Sequence, residues 1–198
     1  MKLYDMELSG NAYKVRLFAA LVGLDLEIQP VDLAAGEHKE APFIDLNPWA
    51  QVPVLEDGDV VLRDSQAILV YLARQYGGHQ WWPDSAAHQG DVMQWLSTAA
   101  NEINHGPNAA RLIDKFGYPL DKERALEIGA RVLPLIEHHL SEHQWLALGR
   151  PTIAECAVFP YIALGWEGGV SLEPYPAIRA WIERIKALPG YVGMPGIE

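Results

Sequence analysis

Hydrophobic residues recur with two different spacings in the first third of the chain. Residues 2–4 have the pattern of a short strand, and the apolar positions of residues 15–22 fall on one helical face. Leu26 and Ile28 then alternate with polar neighbours, which predicts a half-buried strand. A looser helical segment over residues 42–46 follows, so the chain begins in β-α-β-α order.

Two β-branched runs, residues 52–55 and 60–62, flank an Asp-Gly pair that favours a two-residue hairpin turn. Asp64 and Ser65 supply capping oxygens just before the next helical apolar face. A hairpin inside a βαβ pattern indicates a mixed sheet. A helix N-terminus beside a proline-constrained strand is suited to bind a carboxylate and a peptide backbone.

The sequence GGHQWWPD at residues 77–84 interrupts this pattern and indicates a linker. Every later signal is helical, which predicts an N-terminal domain over 1–78, a linker over 79–84 and an all-helical domain over 85–198. Pro134 lies within one apolar helical stripe and predicts a kink or break there.

The segment PTIAECAVFPYIAL, residues 151–164, begins with a capping-box pattern. Thr152 and Glu155 have the spacing at which each side chain satisfies a free backbone N–H near the other. Apolar residues surround the helix that follows on nearly all sides, so we expect it at the centre of the helical domain.

Composition restricts the classes of protein that fit. The chain has 198 residues, 49% of them hydrophobic, with seven Trp, which allows a sizeable core. The N-terminus lacks the apolar run of a signal peptide, and no stretch approaches the ~18 apolar residues of a membrane helix. Cys156 is the single cysteine, which suits a reducing compartment, so we expect a soluble, cytoplasmic protein. The net charge of −11 argues against nucleic acid and anionic membranes as partners.

The stretch from residue 47 to residue 69, NPWAQVPVLEDGDVVLRDSQAIL, resembles the glutathione-binding half of the cytosolic glutathione transferases of bacterial type. The resemblance extends over the chain. It implies a thioredoxin-like α/β N-terminal domain with a mixed four-stranded sheet, followed by an all-α C-terminal helical domain. It also implies a homodimer, glutathione as co-substrate without a further cofactor, and a small hydrophobic electrophile or a peroxide as second substrate.

The family places its catalytic hydroxyl or thiol between the first strand and first helix, where this chain has Ser9-Gly10-Asn11. No cysteine lies here, so the resemblance points to a site of Ser/Asn type with Ser9 and Asn11 as catalytic residues. Tyr4 lies inside the strand and Tyr13 one turn into the helix, which disfavours a tyrosine mechanism. Ser9 can also be a helix cap, a role compatible with catalysis. Whether Ser9 or Asn11 contributes more to stabilising the thiolate stays open.

The resemblance assigns the cysteinyl backbone of glutathione to Val52, the residue before a cis-Pro53. Sequence alone favours a trans bond, since only about 5–6% of X-Pro bonds are cis in folded proteins. Gln51 is expected to reach the glycyl end. Ser65 would take the α-carboxylate of the γ-glutamyl group, and Asp64, shorter than the Glu common in the family, would help to hold its ammonium.

His38 and Lys39 lie where related enzymes place a basic residue near the glycyl carboxylate, with Lys39 favoured on charge. The unusually polar segment 101–111 is expected to face the cleft, so Asn101, His105 and Asn108 are candidates for the second-substrate pocket. Trp166 follows the buried helix, at the position where members of the family have a residue lining that pocket.

Two further features have structural interpretations. His138, His139 and His143 lack a carboxylate–histidine motif, so we expect a solvated helix face and no metal site. Cys156 lies within the helix predicted to be buried and is expected to be an inert core thiol.

The function predicted from these residues is a glutathione transferase that ionises the thiol of glutathione for attack on a hydrophobic electrophile. One alternative is glutathione-dependent reduction of disulfides or peroxides. Another is a non-catalytic binding or interaction protein of the same fold. Retention of Ser9, Val52-Pro53 and Asp64-Ser65 together speaks against that second alternative, because a scaffold needs none of them.

Overall fold

A computed structural model describes residues 1–197 of the chain. Four strands form one sheet in the order β2-β1-β3-β4, in which β1 and β2 are parallel and the other neighbours are antiparallel. The predicted mixed four-stranded sheet is therefore confirmed. The strands are β1 (Lys2–Asp5), β2 (Glu27–Pro30), β3 (Val54–Asp57) and β4 (Val60–Arg63).

Helices surround the sheet and make up the rest of the molecule, which confirms the α/β N-terminal and all-α C-terminal parts. The α-helices are α1 (Gly10–Leu21), α2 (Phe43–Leu46), α3 (Ser65–Leu72), α4 (Ala86–Thr98), α5 (Ala109–Phe116), α6 (Lys122–Glu142), α7 (Ile153–Ala163) and α8 (Pro176–Lys186). Short 3-10 turns cover Glu37–Lys39 and Gly165–Gly168.

The predicted hairpin joins β3 to β4. Asp57 pairs with Val60, so Gly58 and Asp59 form the two-residue loop, one residue later than the Asp-Gly pair that predicted it. Gly58 has φ +60°, a left-handed conformation that glycine adopts without a steric penalty. The turn leaves Arg63 directly ahead of the α3 cap.

β2 differs from its prediction. All four of its residues are exposed, whereas the alternation of Leu26 and Ile28 predicts a half-buried strand. The strand lies at the edge of the sheet and pairs only with β1. Leu26, the residue that does pack against the core, precedes the strand.

The two long helical stretches pass through proline without interruption. α4 continues into a π-helical segment, Ala99–Asn108, and then into α5, with Pro107 inside the π-helical segment. A wider turn suits proline because its ring lacks an N–H and crowds the preceding turn of an α-helix. α6 likewise runs unbroken from Lys122 to Glu142, so no break occurs at Pro134.

α7 occupies the centre of the helical part, as predicted, and every residue of it except Ala163 is buried. Its capping box is present: Thr152 Oγ1 accepts from Ala154 N at 3.1 Å, and Glu155 accepts from Thr152 N at 2.7 Å. Glu155 also accepts from Leu146 N at 2.8 Å. Burial raises the pKa of Glu155 to about 7.

α7 packs against α1, which joins the helical part to the sheet-bearing part. The segment between them is not loose, because Trp81 is buried and its ring meets Phe18 edge-on at 5.3 Å. The division into 1–78, 79–84 and 85–198 stays a prediction. Within residues 1–197, no helix has both the length and the apolar character that a membrane crossing requires.

Candidate active site

Ser9 caps the N-terminus of α1. Its hydroxyl oxygen accepts from Ala12 N at 3.2 Å, and its carbonyl oxygen accepts from Tyr13 N at 2.9 Å. Among residues 1–197 the Ser9 hydroxyl donates to no acceptor, and the Gly10 N–H is also without one. Two donors at the start of α1 are therefore available to a ligand.

Asp64 caps the N-terminus of α3 in the same way. Its Oδ1 accepts from Gln66 N at 2.9 Å and from Ala67 N at 3.1 Å. The residue has φ +72°, a region that non-glycine residues enter rarely and mostly at functional sites.

A side-chain hydrogen bond connects these two helix ends. Ser65 Oγ, which is buried, lies 3.4 Å from Asn11 Oδ1 and also contacts Gln66 Oε1. Each of these helix ends carries a partial positive charge, and we refer to the space between the two N-termini as the recess. The structure thus brings Ser9, Asn11, Asp64 and Ser65 together.

The Val52–Pro53 peptide bond is cis, which confirms the prediction, and Ala41–Pro42 is a second cis bond that was not predicted. Pro53 is buried, Val52 half-buried and Gln51 exposed. The loop ahead of them is fixed by Asn47, a buried residue that sequence reasoning missed.

Asn47 holds that loop through both ends of its side-chain amide. Its Nδ2 donates to Gln51 O at 2.7 Å, and its Oδ1 accepts from Trp49 N at 3.1 Å. The Asn-Pro pair that begins the loop was the available signal.

His38 and Lys39 lie on the 3-10 turn Glu37–Lys39. Lys39 is exposed and His38 half-buried. In residues 1–197 neither makes a side-chain hydrogen bond, and the buried Nδ1 of His38 has no partner. Their assignment to the glycyl carboxylate stays a prediction.

The proposed second-substrate residues are spread over two elements. Asn101 and His105 are exposed and linked to each other, His105 Nδ1 lying 2.9 Å from Asn101 O, whereas Asn108 is buried and donates to Asn104 Oδ1 at 2.9 Å. Trp166 lies on the 3-10 turn Gly165–Gly168 with 61% of its surface exposed. No hydrogen bond within residues 1–197 joins Trp166 to the other three, so their common pocket remains a prediction.

The hydroxyl groups of two tyrosines in the N-terminal part, Tyr13 and Tyr4, are hydrogen-bonded to other groups. Tyr13 OH donates to Val192 O at 2.7 Å, and burial raises the pKa of Tyr13 far above its usual range. Tyr4 OH donates to Glu56 at 2.8 Å, and burial together with this carboxylate raises the pKa of Tyr4.

Tyr161 of α7 is part of the site and was missed. Its OH accepts from Asn11 N at 3.1 Å, and its ring packs so closely that a Cβ on Gly10 would lie 2.7 Å from Cζ. The Lys14 ammonium lies 5.1 Å from the centre of the same ring. The apolar surroundings of Tyr161 in the sequence predict core packing, so no local signal indicated this role.

Arg111 of α5 is a second missed residue. It is fully buried, forms an ion pair with Glu167, and donates to Leu8 O at 3.0 Å, directly ahead of Ser9. The helical part thereby fixes the loop that carries the Ser9 hydroxyl.

His139 of α6 packs against His143, the residue that follows the helix, and this corrects the prediction of a solvated face for His139. His139 is half-buried, stacks on His143 at 4.4 Å and meets Trp95 edge-on at 4.9 Å. Burial lowers the pKa of His139. Together with Trp145 these rings line a cavity of about 450 Å³, and Ser9 is not among the residues that line it. Residues 1–197 hold no cluster of three or more side chains arranged to bind a metal.

Cys156 is fully buried in α7, and burial raises the pKa of its thiol well above the ordinary value. A thiol in this environment stays protonated and unreactive, in agreement with its expected role.

The fold and the site together define a class: a thioredoxin-like domain with a cis-proline and two adjoining helix caps, followed by an all-helical domain. Two family models match, "Glutathione S-transferase, N-terminal domain" over residues 1–74 and "Glutathione S-transferase, C-terminal domain" over residues 114–189. Glutathione S-transferase 1 of Triticum aestivum is 42% identical, over 96% of this chain and 90% of the relative.

Solved structures agree with the sequence comparisons. A glutathione S-transferase from Pseudomonas fluorescens superposes with a TM-score of 0.89 at 33% identity, covering 98% of each chain. A glutathione transferase homolog from Drosophila mojavensis with bound glutathione gives 0.85 at 25% identity, covering 95% of this chain and 88% of that one. The chain belongs to the cytosolic glutathione transferase family and is a glutathione transferase.

Proposed function

We propose that this transferase binds glutathione in the recess between the N-termini of α1 and α3, and presents its sulfur as thiolate to a small hydrophobic electrophile. The Ser65–Asn11 hydrogen bond carries the proposal, because it places the two helix caps side by side. The glutathione-bound homolog of the same fold supports the choice of ligand.

In this arrangement Ser65 and the α3 N-terminus receive the α-carboxylate of the γ-glutamyl group. The second oxygen of Asp64 is free to receive the ammonium, since Oδ1 alone is used by the cap. Val52 pairs its backbone with the cysteinyl residue beside cis-Pro53. Gln51, His38 and Lys39 surround the glycyl carboxylate.

The thiol then lies near the start of α1. A free thiol has a pKa of about 8.5, and lowering it by about two units needs roughly 2.7 kcal/mol. A helix N-terminus supplies about 0.3–1 kcal/mol, or up to ~2 when partly buried. A hydrogen bond to a charged group adds about 1.5–3 kcal/mol. The Ser9 hydroxyl and the Gly10 N–H therefore suffice without a separate base.

The second substrate is proposed to bind beside Trp166, Asn101, His105 and Asn108. The enzyme is proposed to act in the cytoplasm as a homodimer.

Turnover of glutathione with aryl halides, organic peroxides and glutathione disulfides tests the reaction class. Conjugation of aryl halides is the expected result. Turnover restricted to peroxides or disulfides would instead favour the reductase.

The role of Ser9 is tested through the pKa of bound glutathione, followed by the absorbance of the thiolate. Ser9→Ala should raise that pKa by about one to two units, since the lost hydrogen bond is worth about 1.5–3 kcal/mol. Rates at pH 6.5 should fall more than rates at pH 9, where the thiol ionises unaided. Asn11→Ala should give a smaller shift of the same sign.

The reverse pattern would make Ser9 only a helix cap. An unchanged pKa in Ser9→Ala with a raised pKa in Asn11→Ala would transfer the catalytic role to Asn11.

A further inference from the structure

Lys14 is a buried lysine that forms no ion pair or hydrogen bond with the described residues. The residue is 1% exposed, although it lies on α1 only one turn after Gly10. Within residues 1–197 its ammonium makes no ion pair and no hydrogen bond. Its nearest described contact is the face of the Tyr161 ring, 5.1 Å from Nζ to the ring centre. A buried charge normally has a counter-charge; burial lowers the pKa of Lys14, and the Asp64 carboxylate is the acidic group that raises it.

The surroundings place Lys14 at the recess between the two helix ends. The ring of Tyr161 lies beneath the ammonium, and its hydroxyl oxygen accepts a hydrogen bond from Asn11 N. Against the lowering by burial, the carboxylate of Asp64, at the α3 cap, raises the pKa of Lys14. Asp64 is exposed and already accepts two backbone hydrogen bonds. Asp5 on β1 forms an ion pair with Arg16. Burial raises the pKa of Tyr161, and the positive charge of Arg111 on α5 lowers it.

We propose that Lys14 is the counter-cation for a carboxylate bound between the N-termini of α1 and α3, and that its amine takes up a proton from solvent when that carboxylate binds. The proposal rests on the proposed function, because glutathione supplies the carboxylate at Ser65. It makes Lys14 a binding residue, distinct from the hydroxyl groups of Ser9 and Ser65.

The direction of the proton movement follows from burial. Desolvation lowers the pKa of Lys14 to about 7 in the free protein, so near neutral pH a large share of the protein carries a neutral amine. An adjacent carboxylate favours the charged form and raises that pKa. Binding therefore consumes a proton above pH 7 and consumes almost none at pH 6, where the amine is already protonated.

S-methylglutathione is the suitable probe, because its thioether cannot ionise and its binding releases no thiol proton. Calorimetric titrations of the whole protein, in buffers of different ionisation enthalpy, give the number of protons taken up. The uptake should rise from near zero at pH 6 to most of one proton at pH 8. The affinity should fall by about tenfold over the same range, as expected for a group with a pKa of about 7.

Three variants separate Lys14 from the other titratable groups. Lys14→Met should lose the proton uptake and the pH dependence of affinity. Lys14→Arg keeps the cation at every pH, so it should bind at pH 8 as it does at pH 6. Lys186→Met, the same change at a partly exposed lysine of α8, should retain the wild-type uptake.

Binding of S-methylglutathione without proton uptake would overturn the inference and leave the proposed function standing. Persistent uptake in Lys14→Met, or an unchanged pH dependence in Lys14→Arg, would also overturn it. Failure of the wild-type protein to bind the probe at any pH would remove the proposed function itself, and the inference with it.

Discussion

At the scale of single residues, Ser65 is the point where the ends of two helices meet and where we propose that the ligand binds. Its hydroxyl lies near both Asn11 and Gln66, and its backbone N–H is the first of α3. A bound carboxylate at this position touches Ser65 in the ground state and in the transition state alike. In the proposed site the residue would therefore contribute to affinity and not to the chemical step.

We predict that Ser65→Ala weakens glutathione binding by roughly 10- to 100-fold, corresponding to about 1.5–3 kcal/mol for a hydrogen bond to a charged group. The value of kcat at saturation should change little. Steady-state kinetics over a wide range of glutathione concentration measures both. Ser85→Ala is the matched control, because Ser85 precedes α4 without a side-chain capping bond. A large fall in saturated kcat with unchanged affinity would refute this role.

Ser9 and Asp64, two of the residues that sequence reasoning found, make local contacts. Ser9 and Asp64 bond to backbone N–H groups two or three positions away, and such caps follow from the sequence. Tyr161 reaches Asn11 across 150 positions, and Arg111 reaches Leu8 across 103. Contacts of that kind depend on the packing of α7 and α5 and have no local pattern.

At the scale of elements, the start of α1 is shaped by the absence of a side chain at Gly10. The ring of Tyr161 occupies the space where a Cβ would lie, and the same tyrosine accepts from the next backbone N–H. The close approach of α7 to α1 thus depends on this glycine.

We predict opposite outcomes for the same substitution at two helical glycines. Gly10→Ala should destabilise the protein and weaken glutathione binding, because the new methyl group displaces Tyr161 from α1. Gly90→Ala in α4, with open space around it, should stabilise by about 0.5–1 kcal/mol through helix propensity. Urea unfolding of both variants measures the difference. Equal effects at the two positions would contradict the packing argument.

Elements were predictable where a short pattern determines them. The hairpin turn and the capping box of α7 are such cases, since both depend on a few adjacent residues. β2 was wrongly expected to be half-buried because alternation does not reveal that a strand lies at the edge of a sheet. Of the kink or break predicted at Pro134, the break does not occur, because α6 is long enough to continue past one missing hydrogen bond.

At the scale of the whole molecule, residues of both the sheet-bearing and the helical part contribute to the candidate active site. Asn11 and Leu8 come from the sheet-bearing part, whereas Tyr161 and Arg111 come from the helical part. The motif at residues 47–69 therefore identifies the glutathione half of the site, but the position of Ser9 also depends on helices more than a hundred residues away. This division explains why residues 47–69 indicate the ligand class, whereas the second-substrate pocket stays a prediction.

The outer surface carries large apolar side chains on both domains. Trp49, ahead of β3, is 65% exposed, and Leu135 on α6 is 69% exposed. Leu135 borders a groove of about 450 Å³ between α4 and α6, together with Trp95, Ile128 and Val132. Apolar surface of this extent on two domains fits an interface in which each N-terminal domain packs against the helical domain of a second copy.

We predict that sedimentation velocity at micromolar concentration gives twice the 22.0 kDa mass of the chain. Leu135→Asp should shift the protein toward the monomer, because it places an unpaired carboxylate in an apolar interface. Leu120→Asp, at an exposed leucine in the connection between α5 and α6, should leave the dimer intact. A wild-type protein that sediments as a 22.0 kDa monomer would refute the dimer. A dimeric Leu135→Asp variant would instead place the interface on another face.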